Sequence, residues 1–145
     1  MEINFYQIDD LLHKMIAPLL LKIYDQQKKA LILCENEEMV GKLDLGLWNF
    51  SKTKFLPHIT DQDDFDLKIQ PILLTEREEN LNDADFLIMF SEKSEEFIKN
   101  FERIFYFFGP NDLPDARSFW KSSKKKSYNL NFYRREAGVW KKQNL

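Results

Sequence analysis

An α/β fold with a mostly parallel central sheet is predicted by three features of the sequence. Short β-prone apolar segments alternate with amphipathic helical segments from the N-terminus onward. The segment ALILC, residues 30–34, is uninterrupted apolar, as in a strand buried on both faces of a parallel sheet. The 145 residues suit one domain, since domains commonly run roughly 100 to 150 residues. We therefore expect a single α/β domain over residues 1–145.

The N-terminal segment is predicted to form a strand followed by a long helix. Residues 3–8, INFYQI, are β-prone and apolar at alternate positions. Residues 10–27 should be helical, with Asp9 or Asp10 as the cap and a kink at Pro18, whose ring removes a backbone hydrogen bond. The apolar residues of this helix recur with helical spacing on one face, namely Leu11, Leu12, Met15, Ile16, Leu19, Leu20 and Ile23.

The next segments continue the alternation of strand and helix. Asn36 is the predicted cap of a second helix, and residues 94–102 are predicted to form another. Pro71 should place its strand at the sheet edge or delay the start of that strand, because proline cannot donate to the ladder. Three further strands are predicted at residues 69–75, 85–90 and 104–109.

A last helix is predicted over residues 111–126, with Asp112 as its cap and Pro114 in its first turn. The segment YNLNFY then extends the chain toward a tail in which VWKK is the last apolar anchor. No internal repeat, low-complexity linker or second domain is evident in the sequence.

The charge is unevenly distributed along the chain. Residues 116–145 carry nine Lys or Arg and one Glu, a net charge of +8, whereas residues 1–115 carry −11. A molecule with this dipolar distribution favours an anionic partner at its C-terminal end. A nucleic acid and an acidic peptide both fit that description.

Several kinds of chemistry are disfavoured by the sequence. Cys34 is the only cysteine and ends a buried apolar strand, so neither a disulfide framework nor a zinc cluster is expected. The turn after the first strand, QIDDLLHK, has two carboxylates and no glycine, which disfavours a phosphate-binding loop. His13 is predicted to be a surface or boundary residue, and His58 a loop histidine bonded to backbone. We expect no catalytic residue, cofactor or metal.

No charged-then-apolar leader and no run of about 18 apolar residues is present in the sequence. A cytoplasmic protein without membrane association is expected on that basis.

The last predicted helix has a cationic face with an indole in its middle. Helical spacing places Arg117, Trp120, Lys121 and Lys124 on one side, while Ala116, Phe119 and Ser123 point elsewhere. One interpretation is a solvated face on which Trp120 covers the edge of the core. Another is a groove that binds carboxylates and an apolar side chain. A phosphate backbone is a third possible ligand, since charge alone does not separate it from a carboxylate.

The aromatic segment LDLGLWNFSKTKFLPH, residues 43–58, has no catalytic companions. Leu43 and Leu47 are predicted to face the core. Trp48, Phe55 and Pro57 stand where a polar loop is expected, which favours a docking patch. Composition and spacing alone leave a docking patch and an active site nearly equal as interpretations.

Four stretches of the chain together suggest a family. The chain resembles the chi subunits of bacterial DNA polymerase III holoenzyme, which are accessory proteins of the clamp loader. The resemblance rests on four segments: FYQI, LILCENEE, LDLGLWNFSKTKFLPH and ARSFWKSSKKKSYNLN. Residues from about 60 to 100 are only generally similar.

The resemblance implies a Rossmann-like three-layer sandwich that lacks a glycine-rich nucleotide loop. It also implies an accessory subunit without catalysis, since polymerase activity resides in another subunit. In this family one surface binds the psi subunit of the clamp loader, or in some members a helicase. The positions that match this surface are Trp48, Phe55, Pro57 and His58, with His58 at its rim.

A second site in the family binds the acidic C-terminal tail of single-stranded-DNA-binding protein. The matching positions are Arg117, Trp120 and Lys121, joined here by Lys124. The family often has tyrosine where this chain has Trp120, and some relatives have a basic residue at the position of Leu113. The resemblance thus implies a monomer within a hetero-complex, with indirect or weak DNA contact.

Two other functions stay open on the sequence alone. An α/β scaffold of this kind also supports nucleotide- or nucleic-acid-processing enzymes. The basic C-terminal segment is also compatible with direct binding of single-stranded DNA.

Overall fold

The computed structural model describes residues 1–144, which contain one sheet of eight strands flanked by helices. The elements follow in the order β1 (Glu2–Gln7), α1 (Leu12–Asp25), β2 (Ala30–Leu33), α2 (Glu37–Trp48), β3 (Ile59–Thr60), β4 (Ile72–Thr75), β5 (Phe86–Met89), α3 (Glu95–Ile98), β6 (Arg103–Phe108), α4 (Leu113–Lys125), β7 (Asn129–Glu136) and β8 (Val139–Gln143). Short 3₁₀ turns precede β4 and α4.

The sheet has the order β3-β4-β2-β5-β6-β1-β7-β8. Every neighbouring pair from β3 to β7 is parallel, and β8 runs antiparallel to β7. The predicted α/β fold with a mostly parallel sheet flanked by helices is confirmed.

Two apolar layers hold the helices against opposite faces of the sheet. Ala30 and Ile32 face the layer that contains α1 and α2, whereas Leu31 and Leu33 face the layer that contains α3 and α4. All four residues of β2 are buried, as predicted for the ALILC segment. Among the described residues, none of the helices combines the length and apolar character that crossing a membrane requires.

The predicted cap of the first helix was wrong, whereas the predicted cap position of the last helix is confirmed. Helix α1 begins after Leu11 without a side-chain cap, because the Asp10 carboxylate accepts only the Leu11 N–H, at 2.7 Å. Leu11 is exposed and does not belong to the buried face of α1, contrary to the prediction. Asp112 is the N-cap residue of α4, as predicted, but its carboxylate accepts the Gly109 N–H at 3.4 Å and makes no bond to the helix. The predicted cap by Asn36 is confirmed, with its Oδ1 accepting the Met39 N–H at 2.8 Å.

Several elements are shorter than predicted. Helix α1 ends before Gln27, whose φ of 58° lies in the left-handed region that terminates helices. The helix runs through Pro18 as one element. The predicted helix over residues 94–102 is confined to Glu95–Ile98. The strand predicted over residues 69–75 begins only after Pro71, which matches the delayed start expected from proline.

Strands β3 and β8 were missed by the sequence reasoning. Strand β3 has only two residues and gains its pairing from β4, so no local pattern marks it. Strand β8 holds the VWKK segment, which pairs with β7 across a short turn.

Gly46 allows close packing between α1 and α2. A methyl group at this position would lie 2.5 Å from His13 Cγ and 2.7 Å from His13 Cβ. His13 is half-buried there, as its predicted boundary position requires. Since α2 ends at Trp48, this contact also positions the aromatic segment.

Gly46→Ala is expected to destabilise the fold. Overpacking against His13 costs about 1 to 3 kcal/mol, which exceeds the gain of roughly 1 kcal/mol from alanine's helix propensity. Gly41→Ala is the matched control in the same helix, because no atom lies within 4 Å of its added methyl. That control should gain about 0.5 to 1 kcal/mol. Urea unfolding followed by circular dichroism measures both, and equal stabilisation by the two variants would contradict the predicted contact.

Candidate functional site

A cavity of about 410 Å³ opens between α4 and the strands beneath it. Helix α4 supplies one wall, and β1, the end of β6 and β7 supply the other. The lining residues are Phe5, Gln7, Phe108, Leu113, Ala116, Arg117, Trp120, Lys121, Phe132 and Arg134. The floor is apolar and the rim is cationic.

The two faces of α4 divide as the helical spacing predicts. Ala116, Phe119 and Ser123 are buried against the sheet, while Arg117 and Lys121 are exposed. This part of the prediction is confirmed, and it leaves both cations free to contact a ligand.

Trp120 agrees with two of the interpretations given for the cationic face of α4, the core cover and the binding groove. Its side chain is half-buried, and its ring meets Phe5 edge-to-face at a centroid distance of 5.0 Å. The indole therefore covers the edge of the core and also forms a wall of the cavity. Its position is fixed by the core before any ligand arrives.

The cavity is positively charged, and no acidic residue in its lining balances that charge. Its lining contains Arg117, Lys121 and Arg134 but no acidic residue. Within residues 1–144, none of these three cations lies within 4.0 Å of a carboxylate oxygen. Two or more carboxylates can therefore bind there without displacing an existing ion pair.

Two other basic residues at the C-terminal end of α4, Lys124 and Lys126, do not line the cavity. Lys126 pairs with Glu95 at 3.1 Å. Glu95 also accepts the Tyr128 hydroxyl at 2.6 Å, and this bond, followed by Lys126, lowers the pKa of the Glu95 carboxyl to about 2. Lys124 is exposed but is not part of the cavity wall. Of the four predicted tail-binding residues, the cavity thus brings together Arg117, Trp120 and Lys121.

Sequence reasoning missed the contribution of the strands. Strand β7 pairs in parallel with β1, with Phe5 opposite Phe132, so residues far apart in the chain form one wall. Arg134 lies two residues farther along β7, on the same face. The excess of C-terminal cations indicated that a basic surface exists there. The pairing that directs Arg134 into the cavity has no local signal in the sequence.

The aromatic segment forms a separate exposed patch. Trp48 is 49% exposed at the end of α2, and Phe55 is 68% exposed in the following loop. Their ring centroids lie 5.7 Å apart, and Leu45 is exposed one turn earlier on α2. Leu43 and Leu47 are buried, as predicted. We call Leu45, Trp48 and Phe55 the aromatic patch.

A local turn presents Phe55 to solvent. The Ser51 hydroxyl accepts the backbone N–H groups of Thr53 and Lys54, at 3.2 and 3.1 Å. Leu56, directly after Phe55, is buried, and Pro57 is half-buried. The loop is therefore anchored in the core by Leu56, directly after Phe55, and closed by the Ser51 hydrogen bonds directly before it.

His58 does not lie at the rim of this patch, contrary to the expectation from the resemblance. It is 3% exposed, and its Nδ1 lies 2.8 Å from the Leu56 carbonyl oxygen. Its Nε2 lies 3.2 Å from both the carbonyl and a carboxylate oxygen of Asp44. The predicted loop histidine bonded to backbone is confirmed. With a ring centroid 4.3 Å from that of Trp48, His58 supports the patch from beneath.

Burial raises the pKa of two groups outside the cavity, Asp44 and Cys34. Desolvation raises the pKa of Asp44, although the adjacent His58 opposes this rise. Desolvation also raises the pKa of the buried Cys34 thiol to about 12, with the nearby Glu35 carboxylate adding to it. Cys34 is buried in the apolar layer that contains α1 and α2, which agrees with the predicted packing role.

The cavity and the aromatic patch lie on opposite sides of the molecule. Helix α4 packs on one face of the sheet and α2 on the other. The cavity is next to β7 near one edge of the sheet, whereas the aromatic loop leads into β3 at the other edge. Two ligands can therefore occupy the two sites without contacting each other.

Comparisons with known proteins agree on one family. A sequence model of the family described as "DNA polymerase III chi subunit, HolC" matches residues 1–131. The chain is also similar to the "Probable DNA polymerase III subunit chi" of Rickettsia prowazekii (strain Madrid E), with 31% identity over 107 residues. That alignment covers 69% of this chain and 64% of the relative, so the chain spans somewhat less than two thirds of the relative's length. The family match extends over most of the chain and includes both α4 and the aromatic patch, and the chain therefore belongs to the DNA polymerase III chi subunit family.

Proposed function

We propose that this chain is a non-catalytic accessory subunit of DNA polymerase III that links the clamp loader to single-stranded-DNA-binding protein. The cavity would bind the acidic C-terminal tail of that protein, and the aromatic patch would bind psi. The single observation that carries the proposal is a preformed apolar cavity rimmed by three unpaired cations among the described residues.

The chemistry of the cavity matches that of an acidic peptide with an apolar end. Trp120 and Phe132 offer a surface for an apolar terminal side chain. Arg117 and Lys121, one helical turn apart, can bind the terminal and neighbouring carboxylates. A flat stacking surface would suit a nucleobase, whereas this site is concave with charge only at its rim.

The aromatic patch has the features of a protein-binding hot spot. Trp48 and Phe55 expose adjacent rings whose backbone is held by the core and by the Ser51 turn. Exposed aromatic residues supported in this way contribute a large share of binding energy at interfaces. We infer that psi, or a helicase on the same surface, covers these rings.

The two sites together would act by bivalent tethering. The contact with a single tail is weak. A DNA strand coated with single-stranded-DNA-binding protein presents several tails, and each binding event raises the local concentration of the chain for the next one. Separation of the sites on opposite faces of the sheet allows both contacts at once.

Titration of a fluorescent acidic tail peptide tests the proposed tail site. The affinity should fall with rising salt, since the cations of the rim are exposed and screened. It should fall further when the terminal apolar residue of the peptide is removed, because the cavity floor then stays unfilled. Binding that is independent of salt and of that residue would contradict the proposed site.

A thermal-shift screen with the peptide, ATP and divalent metals separates this function from an enzymatic one. Stabilisation by the peptide alone is the expected result. Stabilisation by ATP or a metal, with none by the peptide, would favour a nucleotide-processing enzyme instead. A gel shift with single-stranded DNA at moderate salt should show little or no complex.

A further inference from the structure

The C-terminal hairpin of β7 and β8 adds a surface beyond the region that the family model matches. The match ends at residue 131, within β7, while the hairpin continues to Gln143. This extension contributes Arg134 to the cavity wall. Strand β8 forms the edge of the sheet next to it.

The turn of the hairpin determines which side chains share a face. Ala137 and Gly138 connect the strands, with φ of 52° and 76°. Two residues with positive φ are typical of a type I′ turn, which matches the twist of the flanking strands and sets their register. The register places Lys141 directly opposite Arg134.

Lys141 therefore projects on the cavity side of the sheet. Directly opposed residues of an antiparallel pair lie on the same face, and Arg134 lines the cavity. The Arg134 guanidinium also donates to the Gln143 side chain at 3.4 Å, as expected for neighbours on one face. Lys142 lies opposite Tyr133, whose ring stacks on Tyr6 toward the other layer, at a centroid distance of 4.9 Å.

The result is a row of cations that runs outward from the cavity. It leads from Arg117 and Lys121 on α4, over Arg134 on β7, to Lys141 on β8. Within residues 1–144, Lys141 makes no ion pair, just as the cavity cations make none. Glu136 at the hairpin tip is the one acidic residue of β7 and β8.

We propose that the β7–β8 hairpin extends the cavity into a track for acidic residues upstream of the terminal residue of a bound tail. This inference rests on the proposed tail site. Neighbouring strands are about 4.8 Å apart and an extended peptide advances about 3.4 Å per residue, so one or two further residues reach Lys141. The ligand is thus an extended peptide with consecutive acids before its apolar end, bound over more than the cavity alone.

The track is tested by reversing the charge of Lys141 on the cavity side of β8, with reversal of Lys142 on the opposite side as the matched control. Lys141→Glu and Lys142→Glu change the same charge at adjacent exposed positions. Two labelled peptides share their last three residues, and one has its upstream acids replaced by the corresponding amides. Anisotropy titrations of the native chain and both variants with each peptide give six dissociation constants, and circular dichroism melting checks that both variants fold.

Lys141→Glu should weaken binding of the acidic peptide by about fivefold, because an exposed ion pair contributes up to about that factor and repulsion adds to the loss. Its effect on the amide peptide should be under twofold. Lys142→Glu should change both affinities by less than twofold.

The outcomes separate this inference from the proposed function. If the native chain binds both peptides equally, or if the two variants lose equal affinity, the hairpin track is wrong and the cavity site stands. If the native chain binds neither peptide, the tail site itself is wrong, and the track falls with it.

Discussion

Arg117→Ala is expected to abolish measurable binding of the acidic tail peptide, a loss of at least about 30-fold. Truncating one partner of a hydrogen-bonded charge pair that an interface buries costs roughly 2 to 5 kcal/mol, and the bound tail is expected to bury the Arg117 pair in the cavity. Arg117 is exposed on α4 and lines the cavity, so its removal should leave the fold intact. Fluorescence anisotropy with the labelled peptide measures the loss.

Two controls show which property of Arg117 matters. Arg117→Lys keeps the charge but loses the forked geometry that binds a carboxylate through two bonds, so partial affinity should remain. Lys124→Ala removes a cation of the same helix that lies outside the cavity wall, and its effect should be small. An unchanged dissociation constant for Arg117→Ala, with native melting, would refute the tail site.

Phe55→Ala is expected to remove binding of psi while tail binding stays within twofold of native. The lost ring is one of the two exposed rings of the aromatic patch, and truncation of an interface hot spot costs about 2 kcal/mol or more. With 68% of Phe55 exposed, the free energy of unfolding should change by less than about 0.5 kcal/mol. Co-purification with co-expressed psi, followed by peptide titration, measures both activities.

Phe65→Ala is the matched control, because it removes the same ring from another loop position that is 65% exposed. This variant should retain psi. If Phe55→Ala instead lowered both activities together with the melting temperature, Phe55 would be a structural residue and the two-site arrangement would be wrong.

The parts of the fold that were predictable are those in which a local pattern reflects burial. Strand β2 is apolar throughout because it is covered on both faces, and α4 separates Phe119 from Lys121 because only one side meets the sheet. Strand β3 and the β8 edge depend on partners distant in sequence, so their short segments carried little signal. The cap of α1 was predicted wrongly because Asp10 bonds the N–H of the adjacent Leu11, whereas Asp112 occupies the predicted N-cap position of α4.

The candidate site was predictable to the extent that it lies on one helix. Arg117, Trp120 and Lys121 follow from helical spacing, whereas Phe132 and Arg134 reach the cavity only through the parallel pairing of β7 with β1. The burial of His58 could not be anticipated, because it depends on Asp44 across the α2–loop contact. A polar residue in an aromatic loop gives no indication of which side of the loop it occupies.

The cavity and the aromatic patch are expected to bind their partners at the same time. Sedimentation velocity of the labelled acidic tail peptide, in the presence of the chain bound to psi, tests it most directly. The predicted result is a labelled ternary complex, with a peptide affinity within twofold of that for the chain alone. Displacement of the peptide by psi, or a peptide that sediments free beside an intact complex, would contradict it.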